Sequence, residues 1–261
     1  MIGVFDSGIG GLTVVRELEK ALPGYPLLYL GDTARTPYGS KSAETIIRYA
    51  IEDASFLVER GCRLIVVACN TASSVAMPEL KRKFPDQPIF DVIEPAVEEA
   101  KRMTKGRIGV VGTRATIQSG IYQSKLKDNQ AKVQVFTQAC PLLVPLVEEN
   151  WLDKPVTKLV LRGYVSGLKQ QQIDTLILGC THYPLLRPLF QAKIGKRARV
   201  VDPARATAEQ VRGYLNDNPG LASELKTGQS TFYLTDLTEQ AHSLASRWLG
   251  RPVKFEKAVL G

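Results

Sequence analysis

Two cysteines with matching surroundings point to chemistry in this chain. Cys69 follows the apolar run 64–68, Cys180 follows the run 176–179, and each stands just before a predicted helix. A thiolate can act as a base, and a helix N-terminus increases the thiolate fraction of a cysteine. Two such groups on opposite faces of one carbon can invert it, because one removes a proton while the other donates one. The two cysteines therefore predict proton transfer to and from a single substrate.

Three other interpretations fit the same residues. A zinc ion could be held by Cys69, Cys180 and His182, although Cys-x-His is not a usual ligand spacing. A single Cys–His nucleophile would use Cys180 and His182, but it leaves Cys69 unexplained. Both cysteines could also be small side chains that fill strand–helix junctions. From the residues alone these alternatives stay open. A phosphatase-type Cys-x5-Arg loop is excluded, because Arg187 lies one residue too far from Cys180.

Alternating strands and helices are predicted to position these residues. A buried strand at 2–5 ends in the glycine-rich turn 6–11, a geometry that can hold an anion at a helix N-terminus. The other predicted strands are 27–30, 63–68, 89–92, 107–112, 133–137, 174–179, 198–201 and 231–234. The predicted helices are 12–22, 43–59, 71–84, 96–103, one ending near 126, a turn or helix through 149, 156–168, 185–192, 203–216 and 237–249. This order is typical of parallel sheets with helices on both faces.

The strand–helix pattern restarts after Glu94-Pro95, and the two cysteines lie about one half-chain apart. We therefore predict an α/β fold of two pseudo-symmetric, doubly wound parallel-sheet domains. The first domain is discontinuous, 1–93 plus 206–261, and the second covers 94–205. Ligands of such sheets bind beyond the carboxyl ends of the strands. The active site is therefore expected in the cleft between the two domains.

The charge pattern does not favour a nucleic-acid partner. The net charge is +8, from 34 Lys and Arg against 26 Asp and Glu. The basic residues are scattered, and no run of five like charges occurs, so a solvated basic surface is the simpler interpretation.

Neither a secretory signal nor a membrane span is expected from this sequence. Asp6 interrupts the start of the chain, so no secretory signal is expected there. No apolar run approaches the ~18 residues of a membrane span. We therefore expect a cytoplasmic protein with no membrane partner and with reduced thiols. Cys62 and Cys140 lack the strand-end context and are predicted to be structural.

Four motifs, taken together and in this order, resemble the glutamate racemase family. They are Phe5-Asp6-Ser7-Gly8-Ile9-Gly10-Gly11-Leu12, Asp32 with Pro37-Tyr38-Gly39, Val67-Ala68-Cys69-Asn70-Thr71-Ala72, and Leu178-Gly179-Cys180-Thr181-His182-Tyr183-Pro184-Leu185. The resemblance runs from Ile2 to beyond Val201. It implies interconversion of L- and D-glutamate without a cofactor or metal, and a supply of D-glutamate for bacterial peptidoglycan. A homodimer is one assembly that it allows.

The resemblance also implies roles for individual residues. Cys69 is the expected base toward D-glutamate and Cys180 the base toward L-glutamate. Asp6 is the expected helper of Cys69, and Glu148 and His182 are the helpers of Cys180. The expected substrate-binding residues are Asp6, Ser7, Tyr38, Gly39, Ser40, Asn70, Thr71, Thr113, Thr116, Thr181 and His182. Hydroxyl and backbone N–H groups suit the two carboxylates of glutamate, and Asp6 suits its ammonium.

Several alternatives remain beside this resemblance. Asp6 could be only a turn residue, Tyr38 a packing residue, and Glu148 an exposed helix residue. The substrate could be aspartate or another small amino acid, and a non-enzymatic, topoisomerase-inhibiting role is a further alternative. Only five residues precede Asp6, so activation through an N-terminal extension is not expected.

Overall fold

The computed structural model describes residues 1–128 and 133–260 as ten strands and twelve α-helices. The strands are β1 (Ile2–Asp6), β2 (Leu27–Gly31), β3 (Leu64–Val67), β4 (Ile89–Asp91), β5 (Arg107–Gly112), β6 (Gln134–Ala139), β7 (Thr175–Gly179), β8 (Arg199–Val201), β9 (Thr231–Leu234) and β10 (Phe255–Lys257). The helices are α1 (Leu12–Ala21), α2 (Ala43–Glu59), α3 (Asn70–Lys83), α4 (Glu94–Met103), α5 (Arg114–Gln118), α6 (Ile121–Lys127), α7 (Leu143–Glu148), α8 (Pro155–Gln170), α9 (Arg187–Ile194), α10 (Pro203–Asp217), α11 (Pro219–Glu224) and α12 (Glu239–Leu249). Short 3-10 helices cover Thr33–Arg35, Tyr38–Ser40 and Tyr183–Leu186.

Two parallel sheets organise the chain, as predicted. The first has the order β10-β9-β2-β1-β3-β4 and the second the order β6-β5-β7-β8. In the first sheet Phe5 is paired with Val67, and in the second Gly112 is paired with Gly179. Within each sheet, the carboxyl ends of the paired central strands therefore lie at the same edge. This register places Asp6 beside the segment that carries Cys69, and the segment after Gly112 beside Cys180.

The last part of the chain returns to the first sheet. Strand β9 pairs with β2, and β10 pairs with β9. Helix α10 packs against α1 and also against α4, so it bridges the two halves of the molecule. The predicted domain limits at 93/94 and 205/206 stay a prediction, and the strand pairing is consistent with a discontinuous first unit.

One apolar core joins the two sheets. It contains fully buried residues of the first sheet and its helix, such as Val4 and Leu12, together with Leu176 and Leu178 of the second sheet. Burying a side chain of this size stabilises the fold by roughly 1.5–3 kcal/mol. The shared core therefore holds the two sheets together.

Several elements differ from those predicted. The helix expected to end near 126 is two helices, because Gly120 adopts a left-handed φ of 70° between α5 and α6. The helix predicted at 185–192 begins instead as a 3-10 turn at Tyr183. Neither α11 nor β10 was predicted, since each is too short to show a clear period. Among the helices of the described ranges, none combines the length and the apolar character needed to cross a membrane.

Candidate active site

A cavity of about 440 Å³ lies where the carboxyl ends of the two sheets meet. Cys69, from the first half, and Cys180, from the second, both line it. Ten other predicted site residues line the same cavity: Ser7, Tyr38, Gly39, Ser40, Asn70, Thr71, Thr113, Glu148, Thr181 and His182. Asp6 and Thr116 do not line it; both are buried behind its wall. The volume suits a small molecule.

The end of β3 and the start of α3 position Cys69. Cys69 is the N-cap residue of α3, and its Sγ accepts a hydrogen bond from the N–H of Ala72 at 3.5 Å. The thiol donates to Oγ of Ser7 at 3.3 Å. Burial, and after it the negative charge of Asp6, raises the pKa of Cys69 to about 12. This environment therefore favours the protonated thiol of Cys69 at neutral pH.

Asp6 ends β1 and is completely buried. One of its oxygens, Oδ2, accepts a hydrogen bond from the N–H of Gly8 at 3.0 Å, and Oδ1 accepts one from the hydroxyl of Thr181 at 3.4 Å. Burial raises the pKa of Asp6, while the positive charge of His182 opposes that rise. This carboxyl group thus lies between the two halves and influences groups in both.

A chain of three side chains extends from the second cysteine. Nδ1 of His182 lies 3.9 Å from Sγ of Cys180, and Nε2 lies 2.9 Å from Oε1 of Glu148. Burial lowers the pKa of His182, but the hydrogen bonds to Cys180 and Glu148 outweigh it and raise that pKa to about 10. The imidazole is therefore a cation at neutral pH, with both ring nitrogens as donors.

Two packing contacts hold the His182 ring in place. The ring of Trp248, from α12, meets it edge-on at a centroid distance of 5.7 Å. The second contact is with Gly10, where a Cβ atom would lie only 2.6 Å from Cε1 of His182 and 2.3 Å from Oγ1 of Thr181. Residue 10 therefore has to be glycine for the glycine-rich turn to approach His182 this closely.

Hydroxyl groups from both halves gather at another part of the cavity. Oγ1 of Thr71 lies 3.0 Å from Oγ1 of Thr113 and 3.4 Å from Oγ1 of Thr116. Thr113 is the N-cap of α5, where its hydroxyl accepts from the N–H of Thr116 at 3.2 Å. Such a group of donors at a helix start suits a carboxylate.

Asn70 presents its amide beside these hydroxyls. The hydroxyl of Tyr122, from α6, donates to Oδ1 of Asn70 at 2.8 Å. Because the oxygen is occupied in this way, the NH₂ group of Asn70 is the part left to donate into the cavity.

A sequence profile described as Asp/Glu/Hydantoin racemase matches residues 2–211. The chain belongs to this family.

Individual relatives agree with the family assignment. The glutamate racemase of Geobacter metallireducens is 46% identical over 250 residues, which cover 95% of this chain and 92% of that protein. The crystal structure of a glutamate racemase from Bacillus anthracis superposes with a TM-score of 0.93 at 35% identity, covering 100% of this chain and 97% of that one. A glutamate racemase from Francisella tularensis, solved in complex with D-glutamate, gives a TM-score of 0.91 at 33% identity, covering 99% and 97%. The predicted enzyme class, an amino-acid racemase, and the predicted fold class are confirmed.

The hydroxyl of Tyr38 does not face the cavity in this family member. It contacts Oδ2 of Asp32 and, at 3.0 Å, Oδ2 of Asp53. Any contact of Tyr38 with a substrate must therefore use its backbone or its ring. The sequence did not predict that Asp32 and Asp53 would contact this hydroxyl. Asp53 lies inside a helix whose pattern indicates no special role for it.

Six further cavity-lining residues were not predicted: Thr36, Pro37, Arg114, Pro141, Val144 and Pro145. Arg114 is the only lysine or arginine among the described residues of the lining, and its place directly after Thr113 was a usable signal. The prolines and the valine carry no such signal. The zinc alternative gains no support, because no three His, Cys, Asp or Glu side chains within 1–128 and 133–260 are arranged as a ligand set.

Proposed function

We propose that this chain interconverts L- and D-glutamate by proton transfer between the substrate and two thiols. One observation carries the proposal: Cys69 and Cys180 line a single small cavity from opposite halves of the molecule. The similarity to glutamate racemases over nearly the whole chain supports glutamate as the substrate.

Each direction of the reaction uses one thiolate and one thiol. Starting from D-glutamate, the thiolate of Cys69 removes the α-proton, so an S–H bond forms as the Cα–H bond breaks. The electron pair left on Cα is delocalised into the α-carboxylate. The thiol of Cys180 then donates its proton to the opposite face of Cα and becomes a thiolate. L-glutamate reacts in the reverse order, beginning with the thiolate of Cys180.

Asp6 connects substrate binding with the ionisation of Cys69. The negative charge of Asp6 is one of the two causes that raise the pKa of this thiol. An ammonium group bound near Asp6 would offset that charge and so lower the pKa of Cys69. Binding of the substrate would then favour formation of the Cys69 thiolate.

The second thiol has a different environment. The imidazole of His182 lies next to Cys180, with Nδ1 3.9 Å from Sγ, while Glu148 holds the imidazole in position. We infer that Glu148 and His182 assist Cys180, and that the two directions therefore have differently tuned bases.

The remaining polar groups fit the two carboxylates of the substrate. The hydroxyls of Thr71 and Thr113 and the amide of Asn70 line the cavity and form one group of donors, and the buried Thr116 contacts Thr113 from behind the wall. Ser7, Thr181 and the segment 38–40 form another part of the wall, near the thiols. Donors at the α-carboxylate would also stabilise the charge that develops there during proton removal.

The wider role follows from the same proposal. D-glutamate made in the cytoplasm would supply peptidoglycan synthesis, and the two thiols and their supporting side chains would transfer the protons without a cofactor. The homodimer stays a prediction.

The test uses the separate variants Cys69→Ser and Cys180→Ser, with Cys62→Ser as the control for a buried cysteine away from the cavity. Exchange of the α-proton is followed in heavy water from each enantiomer of glutamate and of aspartate. We expect both site variants to lose racemisation by about 10²-fold or more, each with the opposite enantiomer preference, while the control keeps full activity. Full racemisation by either site variant contradicts the two-thiol mechanism. Faster turnover of aspartate than of glutamate contradicts the substrate.

A further inference from the structure

A largely buried polar cluster, in which only Arg35 and Glu52 are partly exposed, contacts the segment 36–40 of the cavity wall. It consists of Asp32, Arg35, Tyr38, Glu52 and Asp53, and we call it the Asp53 cluster. Nε of Arg35 is 2.6 Å from Oδ2 of Asp32, and Nη2 is 3.0 Å from Oδ1 of Asp53. Nη1 of Arg35 contacts Glu52. Asp32 and Asp53 are completely buried, so neither carboxyl group reaches water.

The single hydrogen of the Tyr38 hydroxyl cannot satisfy both of its carboxyl contacts, so the Asp53 cluster requires an additional proton. The Tyr38 hydroxyl contacts Oδ2 of Asp32 and lies 3.0 Å from Oδ2 of Asp53. A phenol has a single hydrogen, so it can donate to only one of two carboxylates. If Asp32 and Asp53 were both ionised, one of the two carboxylate oxygens would receive no hydrogen and would face a lone pair of the phenol oxygen. Both contacts are hydrogen bonds only when one carboxyl group is itself a donor.

Asp53 is the group that carries this proton. Burial, and after it the negative charge of Asp32, raises the pKa of Asp53 well above its usual range. Asp32 has one more side-chain donor than Asp53: besides the guanidinium of Arg35 at 2.6 Å, the hydroxyl of Thr235 donates to its Oδ1 at 2.9 Å. If Asp32 and Asp53 were both ionised, the single guanidinium of Arg35 would leave one buried negative charge uncompensated, in addition to the partly exposed charge of Glu52.

The groups that face Asp53 from neighbouring elements are few. Arg35 and Glu52 make the ion pairs described above, and Asp32 and Tyr38 make the hydrogen-bonded chain. The buried phenol of Tyr29, on β2, is also within electrostatic range of Asp53. Arg35 is the one cation of this set.

The Asp53 cluster fixes a continuous part of the substrate cavity. The five residues 36–40 all line the cavity, and Tyr38 is the one whose side chain is anchored in the cluster. On its other side the segment packs tightly on α5, because a Cβ atom at Gly39 would lie 2.9 Å from Cβ of Thr113. A change in the direction of Tyr38 would therefore move the wall that the substrate contacts.

We propose that Asp53 is held as a carboxylic acid whose O–H donates to Tyr38, and that this bond positions the segment 36–40 for substrate binding. Asp53 is thus a positioning residue that acts through Tyr38 and touches no substrate. The positioning part rests on the proposed function, whereas the protonation part does not.

The first experiment compares Asp53→Asn with Asp53→Ala, with Asp217→Asn on the exposed face of α10 as the control. An asparagine amide can donate to Tyr38 and accept from Arg35 in the manner of the protonated acid. We expect Asp53→Asn to keep the KM for glutamate within about threefold, and Asp53→Ala to raise KM by about tenfold or more with a smaller change in kcat. Equal losses in the two variants would overturn the proposal, as would an unchanged KM in Asp53→Ala.

Two further measurements keep the proposal testable if Asp53→Ala does not fold. Tyr38→Phe removes the same bond from the other side, and we expect it to raise KM as well. The infrared difference spectrum of wild type minus Asp53→Asn should contain the carbonyl band of a protonated carboxylic acid at neutral pH. The absence of that band overturns the protonation of Asp53. The infrared measurement needs no turnover, so it remains decisive even if the chain does not racemise glutamate.

Discussion

Nε2 of His182 lies 2.9 Å from Oε1 of Glu148, and this contact joins residues 34 positions apart in the chain. His182 is buried, whereas the side chain of Glu148 is 34% exposed at the cavity wall. The contact leaves Nδ1 of the imidazole directed at Cys180. A carboxylate that sequence alone could have assigned to an exposed helix surface is therefore connected, through one imidazole, to a thiol of the cavity.

Replacing Glu148 with glutamine is expected to lower stability at neutral pH more than at alkaline pH. The pKa of His182 is raised from its ordinary 6.5 to about 10 in the folded protein. Its contribution to stability is therefore complete below about pH 6.5 and is lost as the pH rises through about 10. Because Glu148 is partly exposed, solvent screening limits the loss to about 1 kcal/mol, or ~2–4 °C in Tm.

The measurement is the Tm difference between wild type and Glu148→Gln from pH 6 to about pH 10.5, the range set by the His182 titration. Glu149→Gln, next to it in the chain, is the matched control and should change Tm little. A Tm difference that grows with pH would contradict the assigned charge of His182.

Replacing Asp6 with asparagine is expected to lower the pKa of Cys69. Burial and the charge of Asp6 together raise that pKa to about 12, and the substitution removes the second cause. The rate of alkylation of Cys69 is followed by mass spectrometry as a function of pH. Its increase with pH should therefore begin at a lower pH in Asp6→Asn than in wild type. The exposed substitution Asp86→Asn is the control. An alkylation curve that stays in place or moves to higher pH would show that Asp6 does not act on Cys69.

Tyr122 is expected to affect substrate affinity although it lies behind the cavity wall. Without its hydroxyl, Oδ1 of Asn70 loses the donor that orients the amide. The loss of one such hydrogen bond costs roughly 1 kcal/mol, so KM for glutamate should rise about fivefold in Tyr122→Phe, with kcat little changed. Tyr214→Phe, whose ring packs on Phe90 outside the cavity, is the matched control. A fall in kcat with unchanged KM would argue against the positioning of Asn70.

Arg114 is expected to attract the doubly carboxylated substrate. It is exposed and lines the cavity directly after the N-cap of α5. Its removal in Arg114→Gln should lower kcat/KM by about threefold at low ionic strength, and the difference should shrink as salt is added. Arg162→Gln, on the exposed face of α8, is the control. A salt-independent loss would indicate a specific bond rather than long-range attraction.

The two parallel sheets and the common location of the two thiols could be predicted from the sequence, because both depend on local patterns. Short apolar runs separated by helical segments define parallel strands, and the carboxyl ends of such strands share an edge. Cys69 and Cys180 follow two of those runs directly, so their common location could be predicted before their contacts were known.

Supporting contacts could not be predicted in this way. Tyr122 and Asn70 are 52 positions apart, and Asp53 and Tyr38 are 15 positions apart on different elements. Nothing in the local pattern of either helix marks these partners, since their proximity depends on how α2 and α6 pack. The break at Gly120 was missed for a related reason: a single left-handed glycine interrupts a pattern that otherwise fits one helix.

The bond from Tyr122 to Asn70 also limits how such chains can be recombined. It crosses from α6, in the second half, to α3, in the first, as does the contact of Thr113 with Thr71. A chimera that takes residues 94–205 from a distant relative would inherit one member of each pair without the other. Its two sheets could fold correctly and still present a misdirected amide to the substrate. Hybrids of this fold should therefore regain affinity when positions 70 and 122 come from the same parent.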